Sequence, residues 1–567
     1  MAQPWDKSYP PGVSWDAPIA TGFVQDLLHD AVRDFPDNPA LDFMGRKISY
    51  RELGDLSDRF ARGLQDLGVK PGVHVGLYLP NTPHYPIAFF GILKAGGTVV
   101  NYSPLDAGAT LEHKIEDSVT DLMVTLDLAA LYPQMAELLH KTRLRTLIVG
   151  SLAEMSANPA AVEAGMRQTG QLSDVPAGNG HASFAGLLDN DGVYTRHTEG
   201  DPRDVLAVLQ YTGGTTGLPK GAMMTHGNLF SAATAAWMTS QTKPAPVLEQ
   251  GKERLLAVLP PFHIYALAVN MLMGIRFGAE VVQHVRFDVS AVVKDIAEKK
   301  ITIFCGVPTM FVALLNVPAG EKIDLSSLKL CNSGGAPLPV EVREAFVRFT
   351  GCPVGEGWGM TETAACGTFT SPLGPSKAGS CGIPFPGCTI HFVSLDDPSR
   401  TVPFGEKGEI CISGPNVMKG YWNNPEATRE QQTPDGLLRT GDVGYMDEDG
   451  FVYIVDRTKD MLLCGGFNVY PRIIEEAIYE HPAVAECAVI GIPDPYRGQS
   501  PKAFVALKPG AQPLDIEELK SFLSGRIGKH EMVHALELVD SLPKTPVGKI
   551  SKKDLQDREA SAVSTAG

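Results

Sequence analysis

The sequence predicts an α/β fold: a large N-terminal domain of α/β subdomains with a small β-rich subdomain, followed by a smaller α+β domain at the C-terminus. Three observations predict it. Helical apolar periodicity alternates with short apolar runs through the first half of the chain. From about Gly382 the texture changes to short strands and turns, as in GEKGEICISG and DEDGFVYIVD. After Asp456 a mixed α/β texture returns for the rest of the chain.

The elements follow in order. Ser49–Glu52 reads as a capping box, with the Ser hydroxyl and the Glu carboxylate each meeting a free backbone N–H. Leu53, Leu56, Phe60, Leu64 and Leu67 then recur at helical spacing, and Gly68 supplies the stop. An apolar run at Val73–Leu79, a helix near Tyr85–Ala95 and a strand at Thr98–Val100 continue the alternation. The polar stretch from about Ser151 to Asp201 has little periodicity and reads as an elaborated surface loop. Leu255–Ile275 carries no Asp, Glu, Lys or Arg and is nearly long enough to span a bilayer. Pro260-Pro261 interrupts it, however, and His263 and Asn270 lie inside, so it reads as a buried strand, a turn and a buried helix. The principal boundary falls at 457–460, which divides the chain into 1–456 and 461–567.

At 567 residues the chain has room for three or four units of about 150 residues. Its net charge of −16, with no long basic run, argues against nucleic-acid binding, which draws affinity from Lys and Arg on phosphates. An anionic ligand must then be held by a locally built site. Nine cysteines, an odd number with no CxxC pair, make a poor disulfide framework and suit a reducing cytoplasm. The N-terminus has no basic segment leading into an apolar one, so no signal peptide is evident.

The most informative string is Tyr211–Gly221, YTGGTTGLPKG, which a predicted strand at Val205–Gln210 enters. Glycines let backbone N–H groups approach phosphate oxygens, threonine hydroxyls donate further hydrogen bonds, and Lys220 adds a point charge. The P-loop pattern GxxxxGK[ST] is excluded: Pro219 precedes the lysine, Gly221 follows it, and the magnesium-binding Ser or Thr is missing.

YTGGTTGLPKG closely resembles the signature of the adenylate-forming superfamily, which includes acyl-CoA synthetases, peptide-synthetase adenylation domains and luciferases. Further strings resemble its motifs in order: Gly334-Gly335-Ala336-Pro337, Gly355–Thr363 (GEGWGMTET), Arg439–Gly444 (RTGDVG), Asp456–Pro471 (DRTKDMLLCGGFNVYP) and Pro543–Lys549 (PKTPVGK). The resemblance implies that ATP activates a carboxylic acid as an acyl-adenylate, whose acyl group then passes to the thiol of coenzyme A. It assigns Thr212, Gly213, Gly214, Thr215, Thr216, Gly217 and Lys220 to the departing phosphates. Gly335, Ala336 and Pro337 would contact adenine, Trp358 would pack on it, and Gly359 belongs to the same motif. Thr361 would meet the α-phosphate, and Glu362 would hold magnesium, a hard cation suited to a carboxylate. Asp442 would accept from the ribose hydroxyls, Arg457 would support the nucleotide near the hinge, and Lys549 would bridge carboxylate and phosphate. Lys459 matches the hinge of a mobile C-terminal domain, where many relatives carry Asp; Gly465 and Gly466 match the pantetheine channel.

PPFHIY at Pro260–Tyr265 resembles the segment whose histidine, here His263, guards the carboxylate side of the acyl pocket. LEHKIEDS at Leu111–Ser118 and the GWGMTE form resemble fatty acyl-CoA synthetases and point to a medium- or long-chain acid. Aryl and dicarboxylic acids, and transfer to a carrier protein, are the alternatives. HEMVH at His530–His534 matches the HExxH zinc motif literally. Gly525 and Gly528 just upstream and an expected strand at Val533–Val539 oppose the helix that motif needs. The sequence leaves oligomeric state and peripheral membrane contact open.

Overall fold

The computed structural model describes residues 3–212, 219–317, 324–465, 467–545 and 548–566. Its N-terminal body is built on two seven-stranded sheets of one design, six parallel strands closed by one antiparallel edge strand. In the first, the parallel strands lie in the order His181–Ser183, Thr146–Gly150, Thr120–Leu126, His74–Leu77, Thr98–Asn101 and Leu206–Tyr211. Gly221–Thr225 closes that edge. In the second, the order is Val354–Glu356, Leu330–Ser333, Ile303–Gly306, Arg254–Ala257, Glu280–Gln283 and Pro39–Phe43, closed by Arg46–Ser49.

Strands buried on both faces read as continuous apolar runs, which is how Ile303–Gly306 stands in the sequence. Between the sheets run helices such as Tyr50–Asp66 and His84–Lys94, and a single apolar cluster joins both sheets. The second of these helices is buried on every side, including Lys94, whose ammonium donates to Asp58 and to the Ser57 hydroxyl, each at 2.7 Å.

A four-stranded antiparallel sheet, Thr389–Val393, Gly408–Ser413, Leu438–Met446 and Val452–Arg457, follows, as the change of texture near Gly382 predicts. Beyond Arg457 lies a five-stranded sheet. Val484–Asp494 and Gly498–Leu507 form its central hairpin, and the helices Pro471–Tyr479, Ile516–Leu523 and Lys552–Ala566 accompany it.

Several details differ from the sequence reading. Ser49 caps its helix by accepting from the Glu52 N–H at 3.1 Å, but the Glu52 carboxylate pairs with Arg46 at 2.7 Å instead of returning to the cap. The Ser151–Asp201 stretch is more than a loop: it contains the helix Pro159–Gln168, with no buried residue, and supplies His181–Ser183 to the edge of the first sheet. The Leu255–Ile275 stretch is a strand, a turn and a helix, but the helix opens with a π-helical segment, Ala266–Leu272. Among the described residues no helix is long and apolar enough to cross a membrane. All nine cysteines are free and buried.

Candidate active site

Open parallel sheets bind ligands beyond the carboxyl ends of their strands. Four of the segments singled out by sequence leave such an end. Leu206–Tyr211 runs into the phosphate loop, Leu330–Ser333 into Gly334-Gly335, Val354–Glu356 into Trp358–Glu362, and Arg254–Ala257 toward His263. At the first, the Thr212 N–H donates to the Lys220 carbonyl at 2.9 Å and draws the two ends of the loop together. Gly213, Gly214, Thr215, Thr216 and Gly217 lie outside the described residues.

The adenine-side turn depends on backbone freedom. Gly335 has φ +81°, and a Cβ there would stand 2.8 Å from Cε of Lys549, a residue over two hundred positions away in sequence. Ala336 and Pro337 continue the turn. Trp358 is buried, and its indole N–H donates to Asp442 Oδ2 at 2.7 Å. Arg457, paired with Asp442 across neighbouring strands, reaches Oδ1 at 3.0 Å. Asp442 is thus fixed at both oxygens, each of which keeps a lone pair for a further donor.

Thr361 and Glu362 lie on one 3₁₀ turn, Thr361–Thr363. Gly359 before it is pressed so closely that a Cβ would meet the Ala365 carbonyl oxygen at 2.1 Å. Ala364 and Ala365 after it hold φ of +48° and +65°, a conformation that costs about 1 kcal/mol or more for residues with a Cβ. Burial pushes the Glu362 carboxyl up, against the hydrogen bond that Tyr421 donates to Oε1 at 2.7 Å. Among the described residues no group of three His, Cys, Asp or Glu side chains could cage a metal.

Lys549 reaches this cluster from the C-terminal region. Burial is the main cause that lowers its ammonium to about 8; Arg457 adds to the effect and Asp442 opposes it. Its neighbour Gly548, at φ +80°, accepts from the Thr309 hydroxyl at 3.3 Å. Burial, then Lys549, lowers His263 to about 3, so its imidazole is neutral at physiological pH. The Tyr265 N–H donates to His263 Nδ1 at 3.2 Å, which leaves the proton on Nε2. The Tyr265 ring backs Gly334, and its hydroxyl donates to Asn332 Oδ1 at 2.7 Å.

The sequence-predicted residues therefore fall into two groups. Gly335, Trp358, Asp442, Arg457, His263 and Lys549 converge. Gly465 instead turns within the C-terminal sheet at φ +62°, its N–H donating to the Arg497 carbonyl at 2.7 Å. Gly466 lies outside the described residues, and Lys459 stands between the last strand of the four-stranded sheet and the first of the C-terminal one. The HEMVH histidines face different partners: His534 Nε2 meets Arg497 at 2.6 Å, and His530 packs against Phe467. Tyr421 and Tyr265 escaped the sequence reading of the polar network, because each partners a residue more than fifty positions away.

The sequence matches AMP-binding enzymes over residues 28–422 and the AMP-binding enzyme C-terminal domain over 473–549. It is 37% identical over 561 residues to a long-chain-fatty-acid–CoA ligase of Bacillus subtilis, covering 98% of each chain. The fold is similar to ATP-bound MatB from Rhodopseudomonas palustris, with a TM-score of 0.82 and 28% identity over 95% of this chain and 99% of that one. It is also similar to the anthranilate CoA ligase AuaEII in complex with anthranoyl-AMP, with a TM-score of 0.83 and 27% identity over 97% and 99% of the two chains.

Proposed function

The chain belongs to the AMP-binding enzyme family, and on that premise we propose that it is an AMP-forming fatty acid–CoA ligase whose adenylation step is governed by Lys549. One observation carries the proposal about Lys549: a half-buried lysine close to the end of the chain lies against Gly335, beside the Asp442–Arg457 pair.

In the first step a carboxylate oxygen of the fatty acid attacks the α-phosphorus of ATP, and the bond to the pyrophosphate oxygen breaks. Both partners are anions, so the site must supply positive charge where it develops. Lys549 provides it between carboxylate and α-phosphate, and Thr361 donates to the same phosphate. Lys220 and the phosphate loop hold the departing pyrophosphate. Asp442 accepts from the ribose hydroxyls, with Trp358 and Arg457 fixing its carboxylate. Glu362 suits magnesium, since that ion is commonly held by one or two carboxylates together with substrate phosphates. Such an ion, when bound, neutralises phosphate charge and polarises the phosphoryl oxygens. Neutral His263 borders the acid's carboxylate without adding charge of its own.

In the second step the sulfur of coenzyme A, having lost its proton, attacks the acyl carbonyl carbon and AMP leaves. Residues 461–567 form a mobile domain that turns about 457–460, with Lys459 at the pivot, and brings Gly465 and Gly466 to the thiol's path. We place the reaction in the cytoplasm, which suits nine unpaired thiols.

ATP–pyrophosphate exchange with a panel of fatty, aromatic and dicarboxylic acids tests the substrate, and the likeness to an anthranilate CoA ligase is the reason to include aromatic acids. Exchange with medium- or long-chain acids is expected, followed by coenzyme A-dependent release of AMP. Lys549→Ala should lose exchange yet still form thioester from supplied acyl-adenylate. Loss of both half-reactions would refute the role given to Lys549.

A further inference from the structure

Tyr421 lies on a segment that no motif in the reading above includes, yet this segment joins two parts of the phosphate site. Met418 donates its N–H to the Glu362 carbonyl at 2.8 Å. Two residues on, the Met223 N–H donates to the Gly420 carbonyl at 2.8 Å and the Trp422 N–H donates to the Gly221 carbonyl at 2.8 Å. The segment thereby extends the edge strand Gly221–Thr225 that leaves the phosphate loop, with Tyr421 bridged to Ala222. The Trp422 indole N–H donates to the Asp117 carbonyl at 2.9 Å and anchors the far side.

Tyr421 is at the joint. It is 5% exposed. Its hydroxyl donates to Glu362 Oε1 at 2.7 Å, and the Lys220 ammonium stands 5.1 Å from the centre of its ring. A single side chain thus touches both the carboxylate and the cation assigned to the triphosphate. An aromatic ring under a lysine attracts its ammonium and so restrains it, the more strongly where water is excluded. A hydrogen bond behind a metal-ligating carboxylate fixes which way that carboxylate faces.

We propose that Tyr421 is a positioning residue for the magnesium–triphosphate site: its hydroxyl orients Glu362 toward the nucleotide-bound cation, and its ring seats Lys220 beneath the phosphates. This rests on the assignment of Glu362 and Lys220 in the proposed function.

The test is calorimetric titration of the full chain with ATP, in magnesium and in EDTA, for four variants. Tyr421→Phe keeps the ring and removes only the hydroxyl. It should cut the magnesium-dependent gain in ATP affinity about tenfold, the lower end of what losing a residue behind a metal ligand costs, and leave metal-free affinity unchanged. Tyr421→Leu, which also removes the ring, should weaken metal-free ATP several-fold further. Glu362→Gln should abolish the magnesium gain, and adding Tyr421→Phe to it should cost nothing more, since the hydroxyl acts through that carboxylate. A full magnesium gain in Tyr421→Phe, or an additive loss in the double variant, overturns the inference. If Glu362→Gln itself keeps the gain, the cation assignment in the proposed function falls. If Glu362→Gln loses it and Tyr421→Phe does not, only the role of Tyr421 falls.

Discussion

The stem of Lys549 packs against Gly335 where a Cβ would otherwise stand, and this makes the glycine as informative as the lysine. Gly335→Ala adds a methyl group 2.8 Å from the lysine stem at a positive φ. Relieving either strain displaces the ammonium, so pyrophosphate exchange should fall at least tenfold. Thioester formation from supplied acyl-adenylate should fall much less; equal losses in the two half-reactions would show a general defect of the nucleotide site. The lowered basicity of Lys549 has its own consequence. The group is charged below about 8 and neutral above it, so kcat/KM for exchange should decline as pH rises through that value. A free-enzyme profile flat to pH 10 would contradict this, as would an equal decline in thioester formation. Part of this residue-scale picture was legible in sequence. Trp358, Glu362, Asp442 and Lys549 stand in strings whose order along the chain is itself a signal. The contact between Lys549 and Gly335 was not, because it arises from how two regions dock. Nor was the Tyr421–Glu362 hydrogen bond, since a tyrosine in GYW carries no mark of a partner 59 residues away.

Elements show the same division between what periodicity encodes and what packing decides. The helix Tyr50–Asp66 was readable because its apolar spacing is strict, and Leu53, Phe60 and Leu64 are indeed fully buried. The other half of its cap was not, since Glu52 could serve either its own helix or Arg46, and only the position of the Arg46–Ser49 strand decides. The expected energetics follow. Ser49→Ala should cost about 1 kcal/mol of stability in denaturant unfolding, as loss of an N-cap does. Glu52→Gln should cost a few tenths, as for a partly exposed ion pair. The reverse ranking would mean that the carboxylate caps the helix in solution. His181–Ser183 stayed hidden for another reason: three residues are too few to display alternation, and only their backbone bonds identify a strand. The π-helical Ala266–Leu272 is equally silent, because an all-apolar run has no face whose rotation the sequence could record.

For the whole molecule, the alternation of segments in the first half was enough to indicate parallel sheets, but not that there are two or that Pro39–Phe43 crosses to join the second. That strand pairs with one beginning more than two hundred residues later, and no local pattern reports such a distance. The proposed turn of residues 461–567 is a property at this scale too. With Lys549 against Gly335, the structure has the arrangement that the role proposed for Lys549 in adenylation calls for, and on that proposal thioester formation requires leaving it. Lys459→Pro, which stiffens the pivot, should keep pyrophosphate exchange and lower ligase turnover tenfold or more. Unchanged turnover would remove Lys459 from the pivot.

The burial of every cysteine bears on the company this protein keeps. Coenzyme A is a free thiol, and its oxidised forms exchange with any protein thiolate they can reach. Burial pushes Cys305 and Cys366 up to about 12, so each is almost wholly protonated as well as enclosed. Cys352 is the exception in basicity, lowered by its hydrogen bond with Cys331, yet it too is enclosed, so the native fold should resist glutathionylation or capture by oxidised coenzyme A until it opens.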